Sequence, residues 1–191
     1  MERVRGEMIA SQWRLLSETS KASIFRQLTQ IINELQSVPC PTEEVSNVDG
    51  GPIRDYRLQP SSRGPFRTVS DFHVSLRNTI TLASLDVATS LRPETISDLR
   101  QLITFHETVS RAPVLTHGDL SSLDILIHKD TVVGIVDWKT AGWLPYYWEY
   151  TVAWHANPQN YFWQDEVANF LHPYDEALAM EKIRRGYFGD G

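Results

Sequence analysis

Apolar residues in the first third of the chain recur at helical spacing. Ile24, Leu28, Ile31, Ile32 and Leu35 fall on one face of a segment running from residue 18 to 37. Ser17 or Thr19 can cap its start, and Pro39 stops it. Residues 38 to 70 carry Gly50-Gly51-Pro52 and Ser61-Ser62-Arg63-Gly64-Pro65. They read as a long, mostly irregular connection. Residues 70 to 88 read as helical with a less regular pattern. A clearer helix is predicted from Pro93 to Ser110, with Ile96, Leu99, Leu102, Ile103 and His106 along one side. Pro93 suits its first position, where the missing N–H costs nothing.

The period then changes. Ile125-Leu126-Ile127 and Val132-Val133-Gly134-Ile135-Val136 are short β-branched runs flanking Lys129-Asp130-Thr131, which reads as a hairpin. After Gly142 the chain turns aromatic, and helices are expected over residues 145 to 156 and 163 to 185. There is no internal repeat and no low-complexity block.

Composition narrows the function classes. The 191 residues fit one domain with a sizeable core, and 41% hydrophobic content with six tryptophans indicates a folded globule. A formal charge of -6 leaves no basic footprint for nucleic acid. Cys40 is the only cysteine, so an intrachain disulfide and a cysteine-based zinc site are both excluded. The charged first residues do not form a secretory signal, and no window approaches a membrane span. A cytoplasmic location is expected.

Three carboxylates carry the candidate chemistry. Asp119 lies in the segment His117-Gly118-Asp119, Asp124 opens the hairpin and Asp137 closes it. If Asp130 and Thr131 form a two-residue loop, Asp124 faces Asp137, and opposed side chains sit roughly 5 Å apart. A three-residue loop shifts that pairing by one position. Two such carboxylates repel, and a divalent cation beside them relieves the repulsion. Asp119 can then take a proton from a hydroxyl while Asp124 and Asp137 hold magnesium, the division of labour of phosphoryl-transfer sites. A metal-hydrolase set of His117, Asp119, His128 and Asp137 fits less well, because His128 lies at the hairpin's far end. A hydrolase built on Ser121 or Ser122 lacks the G-x-S-x-G elbow.

The segment from His117 to Trp138 resembles the catalytic and metal-binding motifs of the aminoglycoside phosphotransferase family, which groups with choline-kinase-like and protein-kinase-like enzymes. Fungal-type members read H-G-D-L-x-x-x-N-I-L, then a hairpin, then I-D-W-E-x-A-G-x-x-P-x-Y-W-E-Y. The second part stands here as the stretch from Ile135 to Tyr150. Upstream, Met1-Glu2-Arg3-Val4-Arg5-Gly6, Trp13, Gln27-Leu28, Gly64-Pro65-Phe66 and Asp71-Phe72-His73 resemble further family elements. The resemblance covers essentially the whole chain, as a C-terminal lobe only.

It implies an α+β, mainly α-helical fold: a protein-kinase-like C-terminal lobe over residues 1–191 with a small catalytic β-hairpin and no N-terminal lobe. It implies Asp119 as catalytic base and His117 as the residue shaping its loop. Asp124 and Asp137 become Mg2+ ligands, ATP the phosphoryl donor, and a small molecule with a hydroxyl the acceptor. Two positions depart from the family pattern: Asp124 stands where Asn is usual, and Lys139 where an acid is usual. With the ATP-holding lobe expected to be missing, the competing reading is a truncated, non-catalytic binding protein. Such a protein would expose an apolar face to self-association or a partner.

Overall fold

A computed structural model describes residues 4–55, 58, 62–156 and 161–189. Met1 to Arg3, part of the family-like opening, lie outside the described residues. The chain begins with β1 (Glu7–Met8), α1 (Ile9–Gln12) and a 3-10 turn at Trp13–Leu15. The long helix α2 (Glu18–Ser37) follows. Ser17 caps it, its hydroxyl accepting from the Ser20 N–H at 3.1 Å. Ile24, Leu28 and Ile32 of α2 are buried, as their spacing predicts.

The irregular stretch after α2 contains β2 (Ser46–Asn47), β3 (Ile53–Arg54) and β4 (Ser62–Arg63). The helical region expected over residues 70 to 88 is two short helices, α3 (Val69–Leu76) and α4 (Leu82–Asp86). Asn78 and Thr79 separate them at positive φ, a backbone state that ends a right-handed helix. Helix α5 (Pro93–Thr108) starts at its proline as expected. Strands β5 (Val114–Thr116), β6 (Ile125–His128), β7 (Thr131–Ile135) and β8 (Gly142–Leu144) come next.

Helix α6 (Trp148–His155) lies within the expected segment, starting at its fourth residue and ending one residue before its last. The helix expected over residues 163 to 185 is instead broken. Helix α7 (Tyr161–Glu166) runs into a 3-10 turn at Val167–Asn169, and α8 (Asp175–Phe188) starts afresh. Pro173 lies in the gap, and a proline inside a helix removes a hydrogen bond and clashes with the preceding turn.

Two small antiparallel sheets set the architecture. One has the order β1-β6-β7 and the other β2-β8-β5, while β3 and β4 pair separately. Helix α2 packs on the hairpin sheet, and Gln27 fastens the two together. Its amide donates to the Asp130 carbonyl at 2.8 Å and accepts from the Val132 N–H at 3.0 Å. Among the described residues two large apolar clusters form most of the core, with a small third one at Leu85, Leu99 and Ile103. The first joins α2, the hairpin and α7; the second joins α3, α5, α6 and α8.

A polar network lies inside the second cluster. The rings of His73 and His106 stack at 4.1 Å. His73 Nδ1 lies 3.2 Å from the His106 carbonyl, so it carries the proton, and Nε2 accepts from the Tyr147 hydroxyl at 2.7 Å. Arg77 donates to His106 Nδ1 at 3.3 Å, which leaves that ring neutral as well. Burial lowers His73 to about 4, and burial together with His73 and the arginines lowers His106 to about 2. Both rings stay neutral in the fold and would charge near pH 6.5 when it opens. Their contribution to stability is therefore full above pH 6.5 and is lost as pH falls toward the folded values. Between pH 7 and 5 the unfolding free energy should fall by about 2 kcal/mol for each ring. Urea unfolding at both pH values checks it, with His106→Asn expected to flatten the slope; an unchanged slope in that variant assigns the effect elsewhere.

Candidate active site

Two loops cross between the same pair of sheets. Residues 117–124 lead from β5 to β6, and residues 136–141 lead from β7 back to β8. The crossings run side by side because their ends are paired, Thr116 with Gly142 and Ile125 with Ile135. Asp119 and Asp124 lie on the first crossing and Asp137 on the second, so the topology brings the segments that carry the three aspartates to one junction.

The register inferred from sequence needs correction. His128 pairs with Thr131, so the hairpin turns at Lys129-Asp130, with Lys129 at a φ of 59°. The pairing then shifts between Leu126 and Ile127. Asp124 consequently opposes Val136, whose N–H donates to the Asp124 carbonyl at 2.9 Å. Asp137 stands one residue beyond, where the chain leaves the hairpin. The exposed place expected for His128 at the tip is found.

A buried acid holds the first crossing in place. Glu149, on α6, is 1% exposed. Its carboxylate accepts the His117 N–H at 2.5 Å and the Gly118 N–H at 3.3 Å. A carboxylate this deep needs such bonds, because burying its charge unpaired is very costly. The cavity beside it holds about 30 Å³, room for a water and far too little for a substrate. Gly118 is required for this fit. Its φ is +81°, and a Cβ there would lie 2.5 Å from the Thr140 carbonyl oxygen.

His117 links the two crossings. Its Nε2 lies 2.8 Å from the Val136 carbonyl and therefore carries the ring proton, while Nδ1 faces the Asp119 N–H at 3.4 Å. The Thr140 hydroxyl donates to the His117 carbonyl at 3.1 Å. The Trp138 ring stands edge-on to His117 at 4.7 Å, and its Nε1–H donates to the Ile135 carbonyl at 2.8 Å. These bonds hold Asp137 in the left-handed region, with φ 65° and ψ 48°. A non-glycine residue there is strained, and such strain concentrates at functional sites.

The two outer carboxylates differ in environment. Asp124 is half-buried, and its Oδ2 accepts from the Ser121 hydroxyl at 2.6 Å and the Ser121 N–H at 3.0 Å. Burial raises its affinity for a proton; the Ser121 bonds and His117 oppose that, and the charge of Asp119 reinforces it. Asp137 is more exposed, and its Oδ2 lies 2.8 Å from Lys139 Nζ.

Among the described residues no group of three or more His, Cys, Asp or Glu is arranged to hold a metal ion. The donor set nonetheless fits magnesium, which commonly takes one or two carboxylates and completes its shell with phosphate oxygens and water. A divalent cation would also offset the repulsion between Asp119 and Asp124.

Glu149, Ser121 and Thr140 are site residues that sequence reasoning missed as such. Glu149 did leave a signal, a lone acid in the first turn of the apolar, aromatic segment Trp148-Glu149-Tyr150-Thr151-Val152-Ala153. Val4, Met8, Leu123, Val133 and Trp138 are exposed apolar residues on or near the hairpin and its crossings. No helix among the described residues is long and apolar enough to cross a membrane.

A family model described as the phosphotransferase enzyme family matches residues 1–187. No curated protein matches significantly. Solved structures do. A thermostable mutant of aminoglycoside phosphotransferase APH(4)-Ia, in ternary complex with ADP and hygromycin B, superposes with a TM-score of 0.56 at 16% identity, over 97% of this chain and 60% of that one. The ADP-bound aminoglycoside phosphotransferase APH(2'')-Ib gives 0.52 at 17% identity, over 96% and 59%. The GDP complex of wild-type aminoglycoside 2'-phosphotransferase-IIIa gives 0.51 at 19%, over 95% and 56%. The chain thus has the kinase-like aminoglycoside phosphotransferase fold and spans a little over half the length of these proteins.

Removing the buried acid should loosen the crossing it holds. Glu149→Ala is expected to cost about 2–4 kcal/mol, since it strands two buried N–H groups, and Glu149→Gln less, since an amide oxygen still accepts. Urea denaturation measures both; a loss under about 0.5 kcal/mol for the alanine variant would show that the loop stands without this residue.

Proposed function

The chain belongs to the phosphotransferase enzyme family, and on that premise we propose that it is the C-terminal lobe of an ATP-dependent phosphotransferase acting on a small molecule. The acceptor hydroxyl oxygen forms a bond to the γ-phosphorus as the bond to the ADP oxygen breaks, and Asp119 receives the hydroxyl proton. His117 and Glu149 hold the Asp119 loop in register. Asp124 and Asp137 would hold magnesium, whose charge would offset the negative charge on the phosphate oxygens. ATP as donor is in keeping with the nucleotides in the similar structures, ADP in two and GDP in one. Hygromycin B in one of them supports a small hydroxyl-bearing acceptor.

The observation that carries this reading is the joining of the two crossings by the His117–Val136 hydrogen bond, which brings Asp137 to the loop that bears Asp119 and Asp124. Catalysis of phosphoryl transfer is mainly positioning and electrostatics, and this junction supplies both.

A second reading, a binding protein of kinase descent without turnover, is supported by the Lys139–Asp137 pair and by Asp124 at the usual Asn position. Exposed Val4 and Met8 are where a partner or a second copy would then pack.

Calorimetric titration with Mg·ATP separates the residues by role. Asp137→Asn is expected to weaken nucleotide binding tenfold or more, by about 1.4 kcal/mol at the least. Asp119→Asn is expected to leave binding within about threefold and to abolish phosphate transfer to any accepted substrate. Equal nucleotide affinity in the wild type and Asp137→Asn would count decisively against the assignment. Tight binding with no turnover across a panel of hydroxyl compounds would favour the second reading.

A further inference from the structure

We propose that Lys139 is a built-in competitor for the divalent cation at Asp137. The inference rests on the reading of Asp137 as a metal ligand. The Lys139 ammonium lies 2.8 Å from Asp137 Oδ2, on one of the two oxygens a metal would use. The pair is short-range, two residues apart, and Asp137 is held at a fixed left-handed backbone position next to the 3-10 turn Trp138–Thr140 that carries Lys139. The turn therefore places the lysine within reach of the carboxylate.

Two cations on one carboxylate repel each other. Mg2+ must displace the ammonium from Asp137 or bind beside it, and both lower its affinity. Both side chains are about half exposed, so solvent screens the repulsion and the penalty is moderate. Asp124 does not remove it, because the ammonium sits on the other carboxylate. A phosphate oxygen would give the ammonium another anionic partner, so arrival of a polyphosphate would free Asp137 for the metal. In this arrangement Lys139 couples metal loading to phosphate loading and keeps the site weakly charged with metal when phosphate is absent.

Mn2+ alone is the probe, since it takes the same oxygen donors and its free concentration is read directly by electron paramagnetic resonance. Lys139→Met should tighten Mn2+ binding about five- to tenfold over the wild type. Lys139→Arg, which keeps the charge, should stay within about twofold of the wild type. Asp137→Asn, measured alongside, identifies the site. If Asp137→Asn loses Mn2+ but Lys139→Met binds no more tightly than the wild type, competition is wrong and the metal assignment stands. If neither the wild type nor Lys139→Met shows Mn2+ binding that depends on Asp137, both fall together.

Discussion

The candidate site depends on one buried carboxylate accepting two backbone N–H groups. Glu149 lies at 1% exposure in a helix whose first six residues are all buried. The His117 and Gly118 amides donate to its carboxylate, and burying such a group without hydrogen bonds is costly. The demand is mutual, since those amides would otherwise be stranded beneath the loop. A helix fixed by the core therefore fixes a loop at the surface. From that loop the constraint continues through the His117 ring to the Val136 carbonyl, and so to Asp137 at the far end of the hairpin. Each step is a hydrogen bond of a buried or half-buried group, which is how a site gains rigidity without a ligand to organise it.

Within this frame the carboxylates are not equivalent. Asp124 is tied by one oxygen to Ser121, and burial with a neighbouring like charge favours its protonated form. Asp137 is more exposed, conformationally strained and matched to a lysine. A phosphoryl-transfer site needs negative groups close together, which is electrostatically unfavourable before its metal and nucleotide arrive. The Ser121 bonds to Asp124 and the Lys139 contact to Asp137 place a donor on each of these two carboxylates. The same lysine departs from the family pattern, and it is where a catalytic and a binding role for this chain diverge.

Much of the fold was legible because local signals agreed with the tertiary result. The faces of α2 and α5 followed from apolar spacing, and Ser17 and Pro93 marked their starts. The hairpin was legible from its β-branched runs, but its register was not. Lys129 takes a left-handed φ that its side chain does not advertise, and the shift between Leu126 and Ile127 is marked in the sequence only by Gly134 on the partner strand. The helix expected through residues 163 to 185 is interrupted between Glu166 and Asp175, where Pro173 opposes the helical periodicity. The three aspartates were found from motif spacing. Glu149 was not, since its partners lie more than thirty residues away along the chain and only the fold brings them together. The stacked pair of His73 and His106 was hidden for the same reason.

The proposed function requires that Asp124 and Asp137 form one cation site at the junction of the two crossings. The most direct test is anomalous diffraction from crystals grown with Mn2+ and a non-hydrolysable ATP analogue. The account predicts a peak within about 2.5 Å of a carboxylate oxygen of both Asp124 and Asp137, with phosphate oxygens completing the shell. A nucleotide bound with no peak there, or a peak that touches neither residue, would contradict it.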